Sequence, residues 1–553
     1  MSRSPWSVFS SEDLERYIGK KTLSNLNYYL PLLKNDEFNP SDIYKRSNLA
    51  KIFDSFYGVD HLEKKSFREE FFSSLSDEKL TEISYEIFED NKFNRKKVIS
   101  SLLKIKWIKS EQIEKLFELL NLNKSLIPEK KIPPKQLTNN FFPLKPFKQL
   151  KSYQFPVYFK SMEQLKESGS RFIIKMPTGS GKTRVAMEVI SDYINSSNEK
   201  VNIIWLAHQK ELCEQAYECF VDVWSHLSKK KLNLHRMWDE NDSTKFPDQL
   251  EDNNFFIGNF QKISSNIDSE ENNISNLKDE VTLIVVDEAH RVLAPTYKKA
   301  VNYFSNFKTK IIGLTATPGR SYKNEEENKK LAKFFRDNFV EIIISKGKRV
   351  ISYLRSINVL STVKYEPIHV EETISLSAKQ KEYIASFDKL PVDVIEQLSN
   401  SQIRNYEILK RMKNILDEHP KSKVLFFGLS IDHSKFICAM LNIMGINAKH
   451  VDGNTSGTRR SASLLDFKEG NLSVLCNERL MSTGFDAPKT DNIVIAKPTS
   501  SIVLYSQIIG RGLRGPEIGG TKYCKVIDVK DNILGFSDHD KVYEFFDEYF
   551  DSD

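Results

Sequence analysis

From about residue 150 onward, short apolar runs of strand length alternate with segments of helical periodicity, and this alternation constrains the fold more than any other feature. Phe172–Ile174, Val201–Leu206, Val281–Val286 and Lys310–Leu314 form one series. Val424–Phe427, Ser473–Leu475, Asn492–Ile495 and Lys525–Ile527 form a second. A strand that is apolar on both faces has to be covered on both faces, the situation of parallel strands joined by helical crossovers. A polar, helical stretch around Glu371–Glu418 separates the two series. The expectation is an α/β chain with two tandem parallel-sheet domains.

Residues 1–138 read differently. Glycine is scarce there, strand-like runs are few, and the apolar spacing is helical, as in Ser110–Leu122. Ser66, Phe67, Arg68 and Glu69 fit the pattern of a capping box at a helix start. A helical accessory domain is therefore expected over 1–138, followed by α/β domains over 139–345 and 346–553. Pro128, Pro133, Pro134, Pro143 and Pro146 punctuate the join. Within the helical part, Asn91–Ser110 carries Lys92, Arg95, Lys96, Lys97, Lys104, Lys106 and Lys109 without one acid. Such a run is either a solvated helix face or a surface that contacts phosphate.

The 81 basic and 75 acidic residues leave a net charge of +6, too small over 553 residues to identify a polyanionic partner. Uninterrupted apolar stretches stay well short of the roughly 20 residues of a membrane helix, so no membrane partner is expected. Met1–Ser10 has no apolar signal core. Cys213, Cys219, Cys438, Cys476 and Cys524 are scattered and contain no C-x-x-C pair. That pattern suits a reducing cytoplasm and no structural zinc.

Chemistry concentrates where strands end. Phe172–Lys175 runs into Met176-Pro-Thr-Gly-Ser-Gly-Lys-Thr183, then a helical segment. Gly179 and Gly181, with Thr178 and Ser180, let successive N–H groups converge on phosphate oxygens at a helix N-terminus. Lys182 would reach the β- and γ-phosphates of ATP, and Thr183 would offer its hydroxyl to Mg²⁺. Met176 stands where the generic G-x-x-x-x-G-K-S/T pattern has its first glycine. Further on, Val281–Val286 delivers Asp287 and Glu288 at a buried strand's end. Asp287 suits the Mg²⁺ shell, and Glu288 suits activation of the attacking water. His290 follows as a link between the ATP side and a nucleic-acid side.

These residues resemble superfamily 2 helicases and translocases of the DEAD/DEAH class. Leu150–Gln154 is similar to the adenine-reading element, with Gln154 on the base. Leu206–Leu212 resembles motif Ia, Gly258–Gln261 motif Ib, and Leu314–Arg320 motif III, whose Thr315 and Thr317 would couple hydrolysis to domain movement. Lys423–Gly428 resembles motif IV, Ser482–Pro488 motif V, and Gln507–Arg514 motif VI. The resemblance spans residues 150–530. It implies two RecA-like domains whose shared cleft holds ATP. Thr483, Gly484 and Asp486 would line that cleft, Gln507 would belong to its catalytic group, and Arg511 and Arg514 would act as arginine fingers. His208, Lys210, Gln261, Arg459 and Thr483 are the implied nucleic-acid contacts.

Leu206–Leu212, L-T-A-T-P-G-R and S-T-G-F-D-A-P look like the restriction-enzyme motor and bacterial repair branch. Residues 483–507 are especially similar to RadD-type repair helicases, although a cysteine-rich zinc element is missing after motif VI. The implied function is an ATP-dependent DNA helicase or double-strand translocase in phage defence, restriction or repair. An RNA helicase and a nucleotide-controlled clamp that recruits a partner without unwinding are the alternatives. The 39 residues after Arg514 are too few for another large domain, and no cluster of metal-binding carboxylates stands out beyond the ATP site, so if DNA is cut a partner is expected to cut it. The helical domain would bind duplex DNA through Asn91–Ser110, dock a defence or repair protein, or brace the first motor domain.

Overall fold

The computed structural model describes residues 4–33, 40–90, 92–128, 146–238, 252–268, 273–316, 325–344, 349–387, 390–478, 487, 489–498 and 502–534. The N-terminal part is helical, with helices Ser11–Ile18, Lys20–Leu33, Arg46–Phe56, Lys65–Ser73, Asp77–Phe88, Arg95–Lys104 and Glu111–Leu119. Trp6, Phe9, Phe53, Phe67 and Phe71 form its aromatic centre, with Trp6 5.0 Å from Phe53 and 5.7 Å from Phe71 between ring centroids. Ser76, Asn94 and Ser110 each accept a backbone N–H at a helix start, the usual service of an N-cap.

The capping box expected at Ser66 does not form. The helix begins one residue earlier, at Lys65, with no side-chain cap. The 3-10 turn Gly58–Glu63 runs almost straight into it, and Arg68 Nη1 donates to the carbonyls of Leu62 (2.7 Å) and Glu63 (2.9 Å). Ser66 is therefore already inside the first turn. A complete capping box occurs instead between Ser10 and Asp13.

The first α/β lobe is built on β1 (Arg171–Lys175), β2 (Asn202–Ala207), β3 (Leu232–Met237), β4 (Asn253–Asn259), β5 (Leu283–Asp287), β6 (Lys310–Thr315) and β7 (Phe339–Glu341). They form one sheet in the order β3-β4-β2-β5-β6-β1-β7 with every pair parallel. The second lobe uses β8 (Thr362–Tyr365), β9 (Ile368–Ser375), β10 (Val424–Phe427), β11 (Ala448–His450), β12 (Val474–Asn477), β13 (Asn492–Ile495) and β14 (Tyr523–Leu534). Its order is β11-β12-β10-β13-β14-β8, with β9 also on β14, again all parallel. The stretch expected to be helical from Glu371 begins inside β9; helices Ala378–Phe387, Val392–Asn400 and Gln402–Glu418 then follow. All eight expected strands are present.

The helical module sits on the second lobe, so of the roles expected for it, bracing the first lobe is not what the packing supports. Helix 46–56 lies against helix 431–443, helix 20–33 against helix 402–418, and residues 124–126 against helix 457–469. One continuous apolar cluster runs from Trp6 in the module to Val529 in the lobe. Asn442 Nδ2 donates to Ser55 Oγ at 3.0 Å across the junction. No helix among the described residues is long and apolar enough to cross a membrane.

Candidate nucleotide site between the lobes

In an all-parallel sheet the strands deliver their C-terminal ends to one edge, where ligands bind. Register makes this concrete. Lys175 of β1 pairs with Thr315 of β6, and Leu314 pairs with Asp287 of β5. The loop after β1, the acidic pair and Thr315 therefore meet at one edge although they are distant in sequence.

The loop 176–181 is shaped by glycine where it must be. Gly179 and Gly181 both have φ of +84°, and Gly181 passes directly into helix Lys182–Ser196. A β-carbon on Gly181 would stand 2.4 Å from Gln154 Nε2. Met176 has no such need: it is buried, its N–H donates to Thr315 O (3.2 Å), and it is not among the positive-φ residues. The missing first glycine is thus tolerated. Tyr153 Oη and Gln154 Nε2 both donate to Ser180 O, at 2.9 and 3.0 Å, and Gln154 Oε1 accepts from Lys151 N–H. Gln154, expected on a base, is here bonded to the phosphate loop.

Asp287 is buried, and its Oδ1 accepts the Glu288 N–H at 2.9 Å. Glu288 takes a left-handed backbone, φ 52° and ψ 56°, a conformation that costs a non-glycine residue roughly 1–2 kcal/mol. Its carboxylate lies 3.3 Å from His290 Nδ1. Burial raises the Asp287 carboxyl to about 6, with Lys182 pulling against it and Glu288 adding to it. Burial also pushes Glu288 upward, but the positive fields of Lys182, His290, His208 and Arg291 outweigh it and hold that carboxyl below its ordinary value. The ordering keeps Glu288 ionised, as a group that accepts a proton from water requires.

The second lobe reaches this loop. A β-carbon on Gly179 would lie 3.4 Å from Leu360 Cδ2 and 3.8 Å from both Leu513 Cβ and Arg514 Cγ. The Arg514 backbone is held by Ser361, whose Oγ donates to Arg514 O at 2.6 Å. Arg511 is half-buried on the same segment. Gln507 is buried, and its Nε2 has no hydrogen-bond partner among the described residues. Glycine-shaped backbone, a lysine at the helix start, a carboxylate pair with Asp287 buried and Glu288 half-buried, and this unspent donor fit a nucleoside triphosphate. Thr183 and Asp287 are the residues that would hold Mg²⁺.

The other expected residues separate. His208 is buried and close enough to Glu288 to act on its charge, so it faces the carboxylates rather than open solvent. Lys210 and Gln261 are exposed on the first lobe. Thr315 is fully buried beneath the loop. Arg459 does not face a track: it donates to Tyr57 O (2.9 Å) and Asp54 O (3.3 Å) and lies 3.5 Å from Asp60. It anchors the helical module instead. Thr317, Thr483, Gly484 and Asp486 lie outside the described residues.

Neighbouring Arg460 pairs with Glu211 of the first lobe at 2.7 Å, an interlobe contact not expected from sequence although Glu211 lies within Leu206–Leu212. The turn carrying both arginines is fixed by Asp452, which accepts from Asn454 N–H (2.8 Å) and Thr455 Oγ1 (3.0 Å). Asp452 also ends a chain from Ser434 Oγ through His450. That chain has a nucleophile-like order, but Ser434 is fully buried and inaccessible to any substrate.

Residues 147–320 match the family model described as type III restriction enzyme, res subunit, and residues 407–515 match the helicase conserved C-terminal domain. The chain is 24% identical over 387 residues to IRC3 of Saccharomyces cerevisiae, named an ATP-dependent helicase, covering 68% of this chain and 51% of that one. It is 25% identical over 372 residues to a 51.5 kDa protein of Lactococcus phage 7-9, covering 66% of each. It is 22% identical over 424 residues to the type I restriction enzyme EcoAI endonuclease subunit of Escherichia coli, covering 70% and 46%. The chain thus spans about half to two-thirds of these relatives' lengths.

Proposed function

We propose that this chain, which belongs to the superfamily 2 helicases on the branch of the restriction-enzyme motors, is an ATP-driven DNA motor that unwinds or travels along duplex. The observation that carries this reading is the meeting of Arg514 from one lobe with Gly179 from the other. A pocket assembled from two bodies is completed only when they close, so nucleotide state and lobe position are linked.

In this reading the loop N–H groups and Lys182 hold the phosphates, and Thr183 and Asp287 would hold Mg²⁺, which would supply neutralisation of oxygen charge. Glu288 takes the proton of the attacking water, and His290 and His208 keep its carboxylate ionised and oriented. Arg511 and Arg514 spread the charge that develops on the transferred group, a contribution of about 10³–10⁵ in rate. Gln507 spends its amide donor there. Loss of the γ-phosphate, held by Lys182 of one lobe and by Arg511 and Arg514 of the other, lets the lobes part, and Lys210 and Gln261 on the first lobe hold phosphates of the track as they do.

DNA is favoured by the resemblance of residues 206–212 and 314–320 to restriction motors and by the restriction-enzyme relative. The restriction-enzyme relative supports a place in restriction or phage defence with a cutting partner supplied separately. The RadD-like run 483–507 supports repair beside them, and the scattered cysteines without a C-x-x-C pair suit the cytoplasm. The test is ATP turnover with single-stranded, duplex and forked DNA and with RNA side by side, together with triplex displacement. DNA stimulation with strand or triplex displacement is expected. Stimulation by RNA alone would replace DNA as the track, and turnover with neither displacement would leave a clamp.

A further inference from the structure

We propose that the outward face of helix Arg95–Lys104, continued by Lys106, is a second site for a nucleic-acid phosphate backbone, carried on the second lobe. This rests on the motor reading above and adds to it a grip that none of the helicase motifs supplies.

The helix buries Val98 and Leu102. On the opposite arc, at 3.6 residues per turn, stand Lys96, Lys97 and Lys104, all exposed, with Lys106 exposed just beyond. Two of the local basic residues are spent within the protein. Arg95 turns to Asp77 and to the carbonyls of Ser73 and Leu75, and Lys97 pairs with Asp90 at 2.7 Å. Lys96, Lys104 and Lys106 have no ion pair among the described residues, and no acid occurs between Asn91 and Ser110. Three like charges left together repel one another, and a polyanion offsets that repulsion while releasing its counterions.

The face is not purely charged. Phe93 and Ile108 flank the lysines and are 39% and 40% exposed. Apolar and aromatic groups beside a basic track are what bases and sugars pack upon, whereas a merely solvated helix face has no use for them. Position adds a third argument. Lys109 N–H donates to Pro128 O at 2.8 Å, and residues 124–126 pack on helix 457–469. That helix begins beside Arg460, which meets Glu211, the neighbour of Lys210 on the first lobe. The basic face and Lys210 thus belong to different lobes, and opening of the cleft changes the separation of the two grips.

The experiment uses the full chain. Lys96→Gln, Lys104→Gln and Lys106→Gln are combined, and the affinity for labelled duplex DNA, single-stranded DNA and RNA is followed over a salt series. The slope of log affinity against log salt should fall by about 2 to 3, with ATP turnover in the absence of nucleic acid unchanged. The corresponding Lys→Arg triple should keep the wild-type slope. A wild-type chain that binds and a Gln triple with the same slope and affinity would overturn the site alone. A Gln triple that loses only binding to anionic phosphatidylserine vesicles would overturn it equally. A wild-type chain that binds no nucleic acid would overturn both this site and the motor reading.

Discussion

Glu288 holds a left-handed backbone at the end of a buried strand, where the next residues must turn to bring His290 against its carboxylate. Strain kept at such a position is the mark of a residue retained for chemistry. Glu288→Gly should therefore melt higher than Glu288→Gln by roughly 0.5–1 kcal/mol, while both stop phosphate release and Glu288→Gln still binds nucleotide. Equal melting would show that the turn is unstrained. His433 makes a second argument at this scale. It is buried, its Nδ1 accepts from Leu429 N–H (3.1 Å), and its Nε2 meets Asn405 Oδ1 at 2.8 Å, so the ring is neutral with the proton on Nε2. Burial, then Arg404, holds its pKa well below the ordinary histidine value. The unfolded chain takes up a proton near pH 6.5 and the folded one does not, so stability is complete above that pH and falls below it. His450 is depressed by burial in the same direction. Denaturation between about pH 5.5 and 7.5 should show this slope, and His433→Leu should lessen it. Residue identity at the nucleotide edge is legible in sequence because phosphate chemistry admits few side chains. The partner of Arg459 is not, since an arginine beside a loop looks the same whether it meets a phosphate or the carbonyl of Tyr57.

At the scale of elements, the strands that sequence reveals are those buried on both faces, such as Leu283–Asp287. Edge strands are harder to see. Leu232–Met237 mixes buried and half-buried positions, Phe339–Glu341 buries only Val340, and among the described residues Ile368–Ser375 pairs only with β14. Asn253–Asn259 is a different case. It lies within the sheet, but its terminal asparagines read as turn residues, whereas Asn254 Nδ2 donates to Asn202 Oδ1 (3.0 Å) and is satisfied inside the sheet. The strand–loop–helix from β1 is plain in sequence because its glycines are demanded by backbone geometry. Gly181→Ala should weaken nucleotide binding tenfold or more, about 1.4 kcal/mol, since it meets both a positive φ and Gln154 Nε2. Adding Gln154→Ala removes the collision but not the backbone cost, so fluorescent-nucleotide titration should show partial recovery. No recovery would mean that Gln154 contributes more to the loop through its bond to Ser180 O than it costs by crowding.

For the whole molecule, the docking of the helical module is the least legible feature. An apolar helix face records that it must be covered and not by which lobe, and the contacts that decide it join residues nearly four hundred positions apart, such as Ser456 Oγ donating to Asp60 (2.6 Å). The lobes are joined by an apolar cluster that runs from Leu150 to Val526 and by ion pairs at its margin. Glu211→Gln removes the partly exposed pair with Arg460 while keeping its shape, and should shift the closed population by up to about fivefold, about 1 kcal/mol. Interlobe distance measurements with and without nucleotide would detect that change, and an identical distribution at low salt would assign closure to the other interlobe contacts, the apolar ones at Gly179 and Leu360 and the Lys151–Glu517 pair at 3.2 Å.

Because Arg459 and Arg460 are consecutive yet bind opposite neighbours, one turn of helix is shared by three bodies. A dye placed anywhere on helices 46–56 or 77–88 is mechanically a dye on the second lobe. Paired with a second dye on helix 325–334, it would turn any relative movement of the lobes into a ruler reading without a label near the cleft.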